Sequence, residues 1–200
     1  MKLHINRVAS TCFYHIRRLR QLRFILTPSS LQRLVSALIL SRLDYCNSIL
    51  IGLPASTLAP LTRVLHAAAR LVANLRHHDP ISAALSNLHW LPVSYRIRYK
   101  ICLLMYAAVH GTCPQYITDS LIPISSLPHR AHLRSSTSGD FDIPRVRTEF
   151  GKRAFSVAGP TEWNRLPTPL RLSPTIDIFK RNLKTFFFQL AYGGLVLIDD

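Results

Sequence analysis

From Val93 to Val109 the chain contains no Gly, Pro, Asn or Asp, and this uninterrupted stretch constrains the fold more than any other. Two periods compete within it. Tyr95, Ile97, Tyr99 and Ile101 alternate with Arg96, Arg98 and Lys100, as in a half-buried strand, whereas Ile97, Ile101, Leu104 and Ala108 follow helical spacing. Length decides between them, because strands rarely exceed about 10 residues. The stretch is therefore predicted as a buried helix with a basic first half. Pro92 suits its start, having a preset φ and no N–H for the first turn to leave unpaired. Gly111 suits its end, because a left-handed residue closes a helix and glycine adopts that geometry freely.

Apolar partners for such a helix recur at the same period. Ile16, Leu19, Leu22/Arg23 and Leu26 predict a first helix with a basic face. Thr27-Pro28-Ser29-Ser30 is a hydroxyl cap followed by Pro, and it opens a helix striped by Leu31, Leu34, Val35, Leu38, Ile39 and Leu43. The clearest amphipathic pattern is Leu61, Val64, Leu65, Ala68, Leu71, Val72 and Leu75. Pro60, taken as a first-turn residue, places that helix from about Ala59 to Leu75. Short helices are predicted over Ile81–Asn87 and Pro114–Leu121. Gly151–Ala158 reads as a helix stopped by Gly159-Pro160. Ser173-Pro174 opens a last helix whose Ile176, Phe179, Leu183, Phe186/Phe187 and Leu190 share one face, read as core rather than as a base-stacking platform.

Between these helices, residues 122–150 turn to Pro, Ser, Arg and His, with a turn at Ser135–Asp140 and either a loop or a hairpin about Ser138-Gly139. The expected fold class is mainly α: a helical bundle with a Pro/Ser/Arg-rich loop or short β-hairpin between two helical parts. The divisions fall at 1–121, 122–150, 151–192 and a tail over 193–200. Leu61–Leu75 and Val93–Val109, the most apolar helices, are expected to pack together as the core.

The chain holds 25 Lys and Arg against 10 Asp and Glu, a net charge of +15, while 48% apolar residues argue against disorder. That excess repels itself and attracts polyanions, and most of it is Arg, which grips phosphate with a planar fork. The RNA or DNA phosphate backbone is thus the first partner to consider. The candidate contacts are Arg17, Arg18, Arg20 and Arg23 on the first helix; Arg96 and Lys100, one helical turn apart; and Arg145, Arg147, Lys152 and Arg153, which follow the Ser-rich loop. The last four are expected within one positive surface, with Arg96 and Lys100 near its edge. A solvated face is the other reading of the first helix, and an ion pair with Asp79 or Glu162 the other reading of Arg96. No apolar run reaches the roughly 18 residues of a membrane span, and the start lacks the apolar stretch of a signal peptide. An intracellular protein without a membrane partner is expected, in nucleus or cytoplasm.

Little else carries chemistry. Cys12, Cys46, Cys102 and Cys113 form no CxxC pair and are expected to stay reduced. Cys102, His110 and Cys113 loosely resemble a zinc-knuckle spacing but lack a fourth nearby ligand. His77 and His78 are adjacent rather than one turn apart. Asp44, between Leu43 and Tyr45, is expected to pair with Arg42 or cap a turn. No Gly-rich phosphate loop and no GxSxG elbow occur. No catalytic residue, metal ligand or cofactor is assigned.

Several blocks recur in a familiar order. They are Leu40-Ser-Arg-Leu-Asp-Tyr-Cys-Asn-Ser48, Gly52-Leu-Pro54, Ala67-Ala-Ala-Arg-Leu-Val72, Leu88-His-Trp-Leu-Pro-Val93, Arg96-Ile97 and Tyr99-Lys-Ile101. Then follow Leu133-Arg-Ser135, Phe150-Gly151, Arg153-Ala-Phe-Ser-Val-Ala158, Pro160, Trp163-Asn164, Leu166-Pro167 and Phe179-Lys180. Over roughly residues 18–190 this series resembles the segment downstream of the polymerase core in jockey-like, LINE-type (non-LTR) retrotransposon reverse transcriptases. The resemblance implies thumb-like and post-thumb helical structure, and RNA- and DNA-handling in target-primed reverse transcription. It also implies that the catalytic aspartates belong to an upstream fingers and palm, the missing core that would be the partner, because two Mg²⁺ ions need paired carboxylates. Asp199-Asp200 is the one adjacent acid pair, and it has no returning strand or third acid. A non-catalytic fragment of an RNA-directed DNA polymerase is therefore expected; the alternative is a translated retroelement remnant without activity of its own.

Overall fold

The uninterrupted stretch is helical over its whole predicted length, Val93–Val109, and the Arg96 N–H donates to the Pro92 carbonyl at its entry. The computed structural model describes residues 1–76, 78–127 and 139–193. Arg130, Arg134, the Ser135–Ser138 turn and the Asp199-Asp200 pair lie outside them. The fold is mainly α, a helical bundle, and no strand forms among the described residues. In chain order the helices are α1 (Lys2–Leu22), α2 (Pro28–Val35), α3 (Ser41–Asp44), α4 (Ala55–Ala73), α5 (Ile81–Asn87), α6 (Val93–Val109), α7 (Gln115–Thr118), α8 (Phe155–Asn164), α9 (Thr168–Arg171) and α10 (Ile176–Tyr192). The chain groups into two units: Met1–Ile97 with the chain from Phe187 onward, and Arg98–Phe186. The boundaries between these units fall inside α6 and α10.

In the first unit α1 packs along α4. Ile5, Ala9, Cys12, Ile16 and Leu19, spaced three or four apart, bury one face of α1. The same core holds Leu61, Val64, Leu65 and Ala68 of α4, Leu31 and Val35 of α2, Ile39 of the turn that follows it and Leu43 of α3. Each such Leu or Ile contributes about 1.5–3 kcal/mol by its burial. Thr27 caps α2 as predicted, its Oγ1 accepting from the Ser30 N–H at 3.2 Å. A wide π turn, Ser36–Leu40, then separates α2 from α3 and shifts the phase of Ser41 and Arg42. At the far end the Tyr192 hydroxyl donates to the Trp90 carbonyl at 2.7 Å, and the Tyr95 hydroxyl to the Leu190 carbonyl at 3.2 Å. The expectation that Leu61–Leu75 and Val93–Val109 form one core holds for the front of α6, where Val93 and Ile97 join the α4 core. From Arg98 onward α6 belongs to the other unit.

Two prolines lie inside helices rather than at the predicted helix boundaries. α4 begins at Ala55, not Ala59, and Pro60 lies within it. Leu58 and Leu61 on either side of Pro60 are buried, and their burial offsets the one hydrogen bond that Pro cannot make. Likewise Gly159-Pro160 does not stop a helix: α8 starts at Phe155 and runs through both, while Gly151–Arg153 is a separate 3₁₀ turn.

The second unit is built on aromatic packing. Tyr106 of α6 stacks on Phe179 of α10 at 4.3 Å between ring centroids, and Trp163 of α8 lies tilted against Phe179 at 5.9 Å. Phe179, Leu183 and Phe187 are fully buried, so the middle of the predicted face of α10 is core, while Ile176 and Leu190 at its two ends are exposed. Gly159 permits a close approach: a Cβ there would come within 2.6 Å of the Met105 sulfur. Trp163 and Asn164 grip the returning loop. The Trp163 indole N–H donates to the Gly139 carbonyl at 3.1 Å, and the Asn164 amide pairs with both the N–H and the carbonyl of Phe141. In the 122–150 stretch one antiparallel bridge, Pro123 with Phe141, draws 122–124 to 140–142.

Candidate nucleic-acid interface

The apolar face of α1 determines where its cations go. With Ile16 and Leu19 buried, Arg17, Arg18 and Arg20 are left exposed around the helix, and Arg23 sits half-buried at its C-cap. A cation in the last turn also meets the negative end of the helix dipole, a gain of about 0.3–1 kcal/mol. Residues 1–97 carry twelve Lys and Arg but two acids, Asp44 and Asp79. Both acids are engaged: Asp44 by Arg96, and Asp79 by the Arg76 backbone N–H at 2.6 Å. The arginines of α1 have no acidic partner among the described residues.

Arg96 has a partner that neither reading of it named. It was expected as a phosphate contact, with Asp79 or Glu162 as its partner if it served folding. It is held instead by Asp44, through Nε to Oδ1 at 2.8 Å and a second guanidinium nitrogen to Oδ2 at 2.5 Å. Its side chain is 15% exposed, so this forked pair fastens α3 to α6 and withdraws Arg96 from solvent. Arg42 does not pair with Asp44 as expected. The buried Glu162 takes Arg98 at 2.6 Å and Arg165 at 3.1 Å. Lys100 is exposed, but it lies in the second unit and Arg96 in the first.

Of the loop cations, Arg145 and Arg147 are exposed. Lys152 pairs with Glu149 at 2.5 Å on the surface, a contact worth about 0–1 kcal/mol that a phosphate can displace. Arg153 is half-buried, with its guanidinium 5.9 Å from the Phe150 ring centroid.

The fold also assembles a place that sequence reading missed. His4, Arg7, Val8 and Thr11 of α1 and Ser41, Arg42 and Tyr45 at α3 line a groove of about 480 Å³. Arg7 lies on the same helix as Arg17, Arg18, Arg20 and Arg23, but nothing local places Arg42 in one groove with it, thirty-five positions on.

Other reactive groups are muted. Burial pushes the Cys12 thiol up to about 11 against the opposing pull of Arg42, and it raises Cys102 further, aided by Glu162. Among the described residues no three His, Cys, Asp or Glu gather as a metal site, and no helix is long and apolar enough to cross a membrane. Comparison with family models, with curated proteins and with solved structures gives no match to this chain.

Proposed function

We propose that this chain is a non-catalytic segment that holds RNA or DNA by its phosphate backbone without reading sequence. The observation that carries this reading is the charge imbalance of residues 1–97, whose two acids are already engaged while Arg17, Arg18 and Arg20 stand exposed on α1. Unpaired surface cations in that number repel one another, and a polyanion relieves the repulsion while releasing its own counterions. Arginine adds forked hydrogen bonds to phosphate oxygens. The order of blocks resembling jockey-like, LINE-type reverse transcriptases supports the same reading. In that setting the segment works beside a polymerase core and steadies the template and nascent strand during target-primed reverse transcription.

The test is a salt titration of the chain against a fluorescently labelled single-stranded RNA, read by anisotropy. If about six to ten phosphates are neutralised, affinity falls on the order of 10³–10⁵ between about 50 and 200 mM salt. A flat titration contradicts backbone binding. Mg²⁺-dependent primer extension by the chain alone contradicts the non-catalytic part.

A further inference from the structure

We infer that the groove between α1 and α3 is a subsite for one nucleotide of a single strand, its phosphate between Arg7 and Arg42 and its base against the ring of Tyr45. The inference rests on the nucleic-acid reading above and gives it a location. The groove encloses about 480 Å³, within the range of roughly 300–1,000 Å³ of pockets that bury small ligands.

Its lining combines cations with apolar surface. Arg7 and Arg42 are exposed, and neither has an acidic partner among the described residues. The nearest acid in sequence, Asp44, is already shared by Arg96 and the Asn47 amide. The two aliphatic hydroxyls in the lining are turned to their own backbone: Thr11 donates to the Arg7 carbonyl at 3.0 Å and Ser41 to the Ala37 carbonyl at 2.5 Å. Donors for an anion therefore come from the two guanidiniums and the Tyr45 hydroxyl, with His4 also in the lining. Arg42 stands near enough to Cys12 to oppose the rise in its pKa, so its charge lies close to the surface of α1.

Each helix also brings apolar surface: Val8 of α1 lines the groove, and Tyr45 after α3 is 73% exposed without a ring partner among the described residues. A large aromatic left in water in the lining of a cationic groove is an arrangement that stacks an unpaired base. The chain is bent to keep it there: Cys46, the next residue, has φ +52, a left-handed conformation unusual for cysteine. The π turn Ser36–Leu40, a departure often found next to functional residues, directly precedes Ser41 and Arg42.

The experiment measures anisotropy of the full chain with a labelled oligouridine and, separately, with a duplex of equal length. Tyr45→Leu is expected to weaken single-strand binding roughly 5- to 100-fold and to leave duplex binding unchanged, because a paired base has no free face to offer. Arg7→Gln with Arg42→Gln is expected to weaken both at least roughly 10-fold, with a shallower salt slope. All three residues are exposed, and circular dichroism melts that match the parent verify the fold of each variant. If the parent chain binds neither oligonucleotide, the general reading fails and this inference with it. If the parent binds with a steep salt slope and the variants match it, the groove inference alone is overturned. Equal loss on single strand and duplex from Tyr45→Leu overturns the stacking role.

Discussion

His66 of α4 shows how a residue placed for packing acquires a pH dependence. It is half-buried, and burial first, then the charge of Arg70 one turn on, holds its pKa below the ordinary 6.5. Arg70 has little latitude to move away, since its Nε is buried without a hydrogen-bond partner. The unfolded chain takes up the His66 proton more readily than the folded one. Stability from this residue is therefore complete above about pH 6.5 and is lost as pH falls below it. Melts at about pH 7.5 and about pH 5.5 should show a drop for the parent chain and a smaller drop for His66→Gln. Equal drops would assign the acid sensitivity to other groups.

At the scale of elements, the Asp44–Arg96 pair joins the end of α3 to the start of α6. Asp44→Asn leaves a largely buried guanidinium with half its partner, and should cost about 1–3 kcal/mol in urea denaturation. A double-mutant cycle with Arg96→Gln should give a coupling of at least about 1 kcal/mol, whereas additive effects would mean that the pair does not fasten the two elements. This contact was not legible in the sequence, because no local pattern links positions 52 residues apart. What was legible was local. α5 and α6 form at their predicted bounds because Pro80 and Pro92 precede them and α6 meets no breaker before Gly111, whose φ of +65 suits a helix end. α4 and α8 were misread for a related reason. Pro60 and Pro160 carry local signals for a helix boundary, and buried neighbours override them: Leu58 and Leu61 in one case, Val157 and Trp163 in the other. The same holds for the site. The basic run of α1 was visible, but the groove needs Arg7 and Arg42 from different helices.

Across the whole molecule the charge is unevenly spread. Twelve cations and two acids occupy residues 1–97; the remaining thirteen cations share their part of the chain with eight acids. Ion pairing follows that division. Arg98, Lys152, Arg165, Arg171 and Lys180 in the second unit all meet carboxylates, whereas Arg96 is the residue of the first unit seen to do so among the described residues. The central claim is accordingly that α1 carries much of the backbone contact. Its most direct test compares the salt dependence of RNA affinity in the parent chain with that of Arg17→Gln/Arg18→Gln/Arg20→Gln. Each phosphate contact removed lowers the slope of log affinity against log salt by roughly 0.7 on a single strand. The triple variant should therefore lose about 2 from the slope while keeping its melting temperature, since none of the three side chains is buried. An unchanged slope would contradict the account and leave α1 as a solvated face.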